Sequence, residues 1–122
     1  MARSLSIVAA KAPDKNEFLA LMKTFSAERS DNGWRLARNG REIFIDPASH
    51  YMDIYDDEEL DELAELLGAR PTFRLALIFS ETSADHFEER MARAVAKAVS
   101  ELTPIVLDDN AGNLQKMPFV QR

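Results

Sequence analysis

The chain has 122 residues, of which 46% are hydrophobic and 30% are charged, and this length and composition predict one globular domain spanning 1–122. It contains no cysteine, which excludes disulfides, thiolate metal sites and cysteine nucleophiles, and its net charge of −6 argues against a nucleic-acid partner. The apolar stretch near the N-terminus is too short for a signal peptide or a membrane span, so we expect a cytoplasmic location and no membrane partner.

Apolar periodicity and turn residues divide the chain into nine predicted elements in the order β-α-β-β-β-α-β-α-β. In chain order they are a strand at 4–10, a helix at 15–27, hairpin strands at 34–38 and 41–45, a strand at 50–55, a helix at 57–67, a strand at 73–79, a helix at 84–102 and a strand at 105–107. The tail at 114–122 either adds an edge strand or extends over the body.

The strongest local signal is Asn39-Gly40, which stands between two β-like runs. Both residues tolerate the positive φ that a type I′ turn requires, so the sequence predicts a two-residue hairpin. Such a short loop sets the register of the two strands. The predicted pairs are Arg38 with Arg41, Leu36 with Ile43, and Trp34 with Ile45.

These elements predict an α+β domain, with a mixed, mostly antiparallel sheet of five to six strands packed by three helices. The antiparallel part is the meander in the middle of the chain. The β-α-β unit from 73 to 107 is expected to contribute a right-handed parallel crossover. No linker, repeat or low-complexity segment interrupts the sequence.

Charge is concentrated in one segment. Ten acidic residues and no Lys or Arg lie between Glu42 and Ala69, so the rest of the chain is mildly positive. Within that segment, Asp56 and Glu59 have the spacing of a capping box, and Gly68 with Pro71 predicts where the helix ends. The first-turn acids are thus explained by helix capping and by the helix dipole.

The remaining acids of this segment form the candidate binding surface. Like charges at i,i+4 destabilise a helix slightly, and nothing basic nearby in sequence relieves them. The preceding strand is expected to turn Tyr51, Asp53 and Tyr55 outward, and acids beside exposed tyrosines suit a basic protein partner. The predicted partner-binding residues are Tyr51, Asp53, Tyr55, Asp57, Glu58, Asp61, Glu62 and Glu65. The competing interpretation is a solvated helix face without a partner.

The sequence contains no complete motif for catalysis, cofactor binding or metal binding. His50 and His86 lack the spacing of a metal-ligand pair, and no Gly-rich phosphate loop or serine elbow is present. The segment 108–113 superficially resembles a calcium-binding loop, but its ligand spacing is one residue short and the closing Glu is missing. We expect a turn there with Gly112 at positive φ, a weak cation site being the alternative, and we expect no cofactor.

Several segments together resemble small bacterial proteins of the immunity type, which are found beside polymorphic toxins. The resemblance covers about residues 44–114 and is one of element pattern, its most specific piece being Leu-Leu-Gly-x-x-Pro at the end of a helix. It implies a non-enzymatic role, the neutralisation of a cognate toxin, and no catalytic residues. The segments are Tyr51–Tyr55, Glu58–Pro71, the strand 73–79, Ala84-Asp85-His86 before a long helix, and Ile105–Asp109 with Gly112-Asn113-Leu114.

Two other functions stay open from the sequence. The first is a self-associating structural or regulatory module, a homodimer that uses Phe44, Ala37 and the tail Met117–Val120. The second is a small enzyme with a carboxylate and tyrosine site, whose acid–base groups would be Asp46, His50, Tyr51 and Asp53.

Overall fold

The computed structural model describes residues 2–31, 33–47, 55–80 and 84–117. Within these ranges the chain forms three helices and seven strands, which confirms the predicted α+β class. In chain order they are β1 (Ala2–Ala9), α1 (Lys15–Thr24), β2 (Glu28–Ser30), β3 (Gly33–Arg38), β4 (Arg41–Asp46), α2 (Asp57–Leu67), β5 (Phe73–Ser80), α3 (Phe87–Ser100), β6 (Ile105–Asp108) and β7 (Leu114–Met117). The strand predicted at 50–55 falls almost entirely on 48–54, outside the described ranges.

All seven described strands belong to one sheet, in the order β2-β3-β4-β5-β1-β6-β7. Every neighbouring pair is antiparallel. The described sheet is therefore antiparallel throughout and not mixed as predicted, because β1 lies between the two strands of the β-α-β unit, β5 and β6, and bonds to both. β5 and β6 do run parallel, one strand apart, as in a split β-α-β unit. Burial agrees with this central position, because residues 5–9 of β1 are fully buried, with packing layers on both faces of the sheet.

The count of seven strands exceeds the predicted five to six because both edges are extended. β7 comes from the tail, where an edge strand was one of the two expectations. β2 was not anticipated, since its three residues are all exposed and carry no apolar alternation. It exists because β3 offers it an unpaired edge, with Arg29 opposite Trp34.

The β3–β4 hairpin has the predicted register. Arg38 pairs with Arg41 across the turn, and the core pairs follow two and four residues further on. Asn39 and Gly40 adopt φ of 55° and 76°, the left-handed conformation that a two-residue loop demands.

The main core lies on one face of the sheet, under α1 and α3. Alternate residues of each strand point to this face, and Leu5, Leu36 and Leu77 are fully buried in it. α1 begins where the Asp14 carboxylate accepts a hydrogen bond from the Glu17 amide, and it ends three residues earlier than predicted.

α2 covers the opposite face, over β1, β6 and β7. A second, smaller cluster forms there around the fully buried Val8, Val106 and Leu63. Burying one leucine in this way stabilises the fold by about 1.5–3 kcal/mol. The predicted capping box at Asp56 is present, and the helix ends at Gly68, whose φ of 82° is the left-handed cap that the sequence indicated.

The other half of this second face, on β3, β4 and β5, has no described helix above it. Ala37 and Phe44 point outward there, and the Phe44 side chain is 41% exposed. Within the described residues, the domain therefore has three layers at β1 and β6, with helices on both faces of the sheet, and two layers at β3 and β4, with helices on one face.

Candidate functional site: an acidic helix face and an adjoining cleft

α2 turns five carboxylates to solvent, and this surface is called the acidic face below. The helix docks through the buried Leu63 and partly buried leucines one turn away, so the residues between them point away from the sheet. All five acids are exposed, as the sequence predicted. The acidic face consists of Asp57, Glu58, Asp61, Glu62 and Glu65.

Within the described part of the chain, these five charges have no countercharge within 4 Å. None of the ion pairs among the described residues involves the acidic face: they connect β3 with β2 and β4, link β1 and β4 to the region of α3, or lie within α3. Two further acids of this helix have a structural role, because Asp56 and Glu59 accept hydrogen bonds from each other's backbone amides at 2.8 and 3.0 Å. The five carboxylates of the acidic face take no part in this capping box.

Tyr55 does not belong to the exposed surface, which corrects the prediction. Its side chain is 8% exposed, and its hydroxyl donates a hydrogen bond of 2.9 Å to Asp108 Oδ2. The prediction carried strand alternation through residue 55. In the structure Tyr55 is already next to the N-cap of α2, and its ring joins the Val8–Leu63 cluster instead of facing solvent.

Tyr51 and Asp53, the other two predicted members of the binding surface, lie outside the described residues. The same holds for His50, so the carboxylate–tyrosine enzyme site stays a prediction. Asp46 is described: it ends β4, is partly buried, and lines a shallow groove with Trp34 and Ile78 on the open half of the sheet.

A cleft of about 230 Å³ adjoins the acidic face, between α2 and the turn that joins β6 to β7. It is called the α2 cleft. Glu59 and Glu62, which are exposed, lie at its mouth, and the buried Tyr55 and Asp108 lie at its floor. Its lining consists of Tyr55, Glu59, Glu62, Leu63, Asp108, Asn110, Gly112 and Leu114.

Asp108 is the most deeply placed carboxylate of the cleft, with 6% of its surface exposed. Asp108 is the last residue of β6, so the same buried strand that contributes apolar side chains to the core also positions this carboxylate at the floor of the cleft. One carboxylate oxygen of Asp108 accepts a hydrogen bond from the Tyr55 hydroxyl, and the other accepts one from the backbone amide of Asn110 at 2.8 Å. Among the described residues no ion pair involves Asp108.

The Tyr55 hydroxyl is held in its protonated form. Burial of the ring raises the pKa of Tyr55 most, and the nearby Asp108 charge and its hydrogen bond raise it further, against a smaller opposing effect of Arg74. A phenol of this kind donates a hydrogen bond and does not serve as a base at neutral pH. The Nε of Arg74 itself is buried without a hydrogen-bond partner.

The wall opposite α2 is a turn that is fixed by its own side chains. Asn110 has a left-handed φ of 61°, and its amide group donates to the carbonyl and the hydroxyl of Ser4 at 3.1 and 2.9 Å. Asp109 accepts from the side chain of Asn113 and from two backbone amides, which lowers the pKa of Asp109. The predicted turn with Gly112 at positive φ is confirmed, its φ being 96°.

The chemistry of the lining suits a cation. Among the described residues that line the space are three carboxylates and one side-chain amide, and none of these described lining residues is basic. Leu63 and Leu114 add an apolar wall, which is the pattern that contacts an aliphatic stem carrying a charge at its tip. No group of three or more His, Asp or Glu side chains is placed to hold a metal ion within the described ranges.

The surface proposed for self-association is not continuous. Ala37 and Phe44 lie on the open face of β3 and β4, whereas Met117 lies on β7 and packs against the main core on the opposite face. Four strand spacings separate β4 from β7, about 19 Å. One patch therefore cannot include both, and 118–120 lie outside the described residues.

The sequence analysis does not predict the floor of the cleft, because it treats Asp108 and Asn110 only as turn residues. One signal pointed to the burial of Asp108: this acid directly continues the apolar strand 105–107. None of the described helices is both long and apolar enough to cross a bilayer.

Comparisons with protein-family models, with curated proteins and with solved structures find no match for this chain.

Proposed function

We propose that this protein is a non-enzymatic binding protein whose acidic face docks on a basic surface of a protein partner. The observation that carries the proposal is the set of five exposed carboxylates on α2 without a cation within 4 Å among the described residues. A structural helix of this size would gain from basic residues at these positions, and α2 has none.

The arrangement has a cost that a partner would remove. Asp57 with Asp61, Glu58 with Glu62, and Asp61 with Glu65 are like charges one turn apart, and each such pair destabilises a helix by a few tenths of a kcal/mol. A basic partner converts this repulsion into attraction. It also accelerates encounter, because complementary charge raises association rates by orders of magnitude at low ionic strength.

Within this class we propose a cytoplasmic immunity protein that neutralises a cognate bacterial toxin. The support is the element pattern of residues 44–114, together with a surface suited to covering a basic active site such as that of a nuclease-like toxin. Neutralisation then follows from occlusion, and the inhibitor itself needs no catalytic group.

The test is binding to the purified product of the adjacent gene, measured by biolayer interferometry as a function of salt. The test variant is Asp57→Asn/Asp61→Asn/Glu65→Gln, which neutralises the centre of the acidic face. Its matched control is Glu17→Gln/Asp31→Asn/Glu101→Gln, which changes net charge equally at exposed acids elsewhere.

We expect the acidic-face variant to associate at least about tenfold more slowly at low salt, a difference worth about 1.4 kcal/mol, and the control to match the parent. Raising the ionic strength should narrow the gap as exposed charges are screened. Equal binding by the parent and both variants would refute the role of the acidic face. A neighbour that does not bind at all would remove the immunity role.

Self-association is the second candidate, and one observation favours it: Phe44 is 41% exposed on a sheet face without a described helix above it. Sedimentation of the parent and of Phe44→Ser at high micromolar concentration separates the outcomes. A dimer that the substitution dissociates supports this function, and a monomeric parent excludes it.

A further inference from the structure

We propose that the α2 cleft is a receptor for one basic side chain, arginine or lysine, that the partner inserts when it docks on the acidic face. This inference rests on the proposed function and adds the anchor point of the interface. Glu62 belongs both to the acidic face and to the mouth of the cleft, so a partner lying on one reaches the other.

The dimensions of the cleft fit a side chain better than a free ligand. Its volume of about 230 Å³ is below the range of roughly 300–1,000 Å³ in which drug-sized molecules bind. Leu63 and Leu114 form the apolar part of its lining, against which a three- or four-carbon stem would pack. Glu59 and Glu62 at the mouth and Asp108 at the floor then offer carboxylate oxygens along the path of the charged tip.

The floor points to a cation independently of the acidic helix. Asp108 comes from the sheet, is 6% exposed, and among the described residues its carboxylate oxygens accept from two uncharged donors, the Tyr55 hydroxyl and the Asn110 backbone amide. Arg74 is close enough to act on the Tyr55 hydroxyl but forms no ion pair with Asp108. A buried carboxylate is costly unless a countercharge accompanies it. Each oxygen retains further acceptor capacity, so an incoming guanidinium or ammonium group finds an unused charge-assisted bond.

Hydrogen bonds already hold the floor and the turn wall of the cleft in place without a ligand. Asn110 is tied to Ser4 across the sheet, and Asp109 is tied to the backbone of its own turn. The Tyr55 hydroxyl stays protonated and keeps Asp108 oriented. Pre-organisation of this kind lowers the entropic cost of binding, which is typical of the central pockets that hold arginine hot spots.

The experiment titrates the full-length ¹⁵N-labelled protein with N-acetyl-arginine amide and N-acetyl-lysine amide, followed by NMR. N-acetyl-citrulline amide is the matched probe, because it has nearly the same shape without the charge. We expect saturable shifts of the amides of Asn110, Gly112 and Leu114 with at least one cationic probe, at millimolar affinity, and no saturation with citrulline.

The matched variants are Glu62→Gln at the mouth and Glu65→Gln one turn away on the acidic face, outside the cleft lining. We expect Glu62→Gln to weaken binding of the cationic probe about five- to tenfold and Glu65→Gln to leave it unchanged. Asp108→Asn should abolish saturation, and because Glu62 is exposed, its variant keeps the test decisive if Asp108→Asn does not fold.

Saturable binding of citrulline, equal losses in the two glutamate variants, or no saturation with either cation would each overturn the inference. These outcomes are separate from those of the proposed function. If the probes do not bind while the acidic-face variant still loses its partner, only the cleft is wrong. If the probes bind while that variant keeps its partner, the cleft stands and the docking role of the acidic face falls.

Discussion

Replacing Tyr55 by Phe tests the link between α2 and the sheet. The ring and its packing against Val8 and Leu63 are preserved, so the loss is confined to one hydroxyl. The Tyr55 hydroxyl donates a hydrogen bond of 2.9 Å to Asp108 Oδ2, and Asp108 is 6% exposed. Hydrogen bonds to a charged group contribute about 1.5–3 kcal/mol net. Because the other carboxylate oxygen keeps its bond to the Asn110 backbone amide, we expect a cost near the lower end, about 1.5 kcal/mol.

Urea unfolding, followed by the fluorescence of the single tryptophan, Trp34, measures this cost as a shift in midpoint at constant slope. A double-mutant cycle with Asp108→Asn assigns it. If the Tyr55 hydroxyl acts through the Asp108 charge, its removal should cost distinctly less in the Asp108→Asn background. A loss below about 0.5 kcal/mol, or the same loss in both backgrounds, would show that the Tyr55–Asp108 bond does not hold α2 in place.

Three further predictions concern Tyr55, the acidic face and the β3–β4 hairpin. The pKa of Tyr55 is raised in the folded state, so its contribution to the free energy of unfolding is complete below the ordinary tyrosine pKa of about 10 and is lost as pH rises above that value. Tyr55→Phe should therefore lose less stability at alkaline pH than the parent in urea unfolding. Identical pH profiles of stability for the two proteins would contradict this. Asp61→Lys replaces two repulsive one-turn pairs with attractive ones, so thermal unfolding at low salt should show a gain of a few tenths of a kcal/mol per pair that high salt removes; a loss would contradict the repulsion. Gly33→Ala would place a Cβ 2.0 Å from the Ile45 carbonyl oxygen, so we expect a loss of about 1–3 kcal/mol in urea unfolding, and a neutral effect would show that the β3–β4 contact can open.

Local chemistry made much of this molecule predictable. The Asn39-Gly40 turn sets its own register because only two residues connect the strands, and the structure has that register. The capping box at Asp56 and the left-handed Gly68 depend on neighbours within four residues. The outward direction of the acidic face follows from helical periodicity against Leu63. Each of these features is determined within a few residues of sequence, which is why pattern alone identified them.

The tertiary structure decided what pairs with what across the sheet. β1 lies between β5 and β6 and is buried on both faces there, and the order of strands depends on pairings about 64 to 102 residues apart in sequence that no local pattern encodes. The same holds for the cleft: Tyr55 and Asp108 are 53 residues apart and meet only because α2 packs over β6. The sequence by itself determined an acidic helix face, and the fold added a buried acid beside it, since burial is a property of the assembled layers.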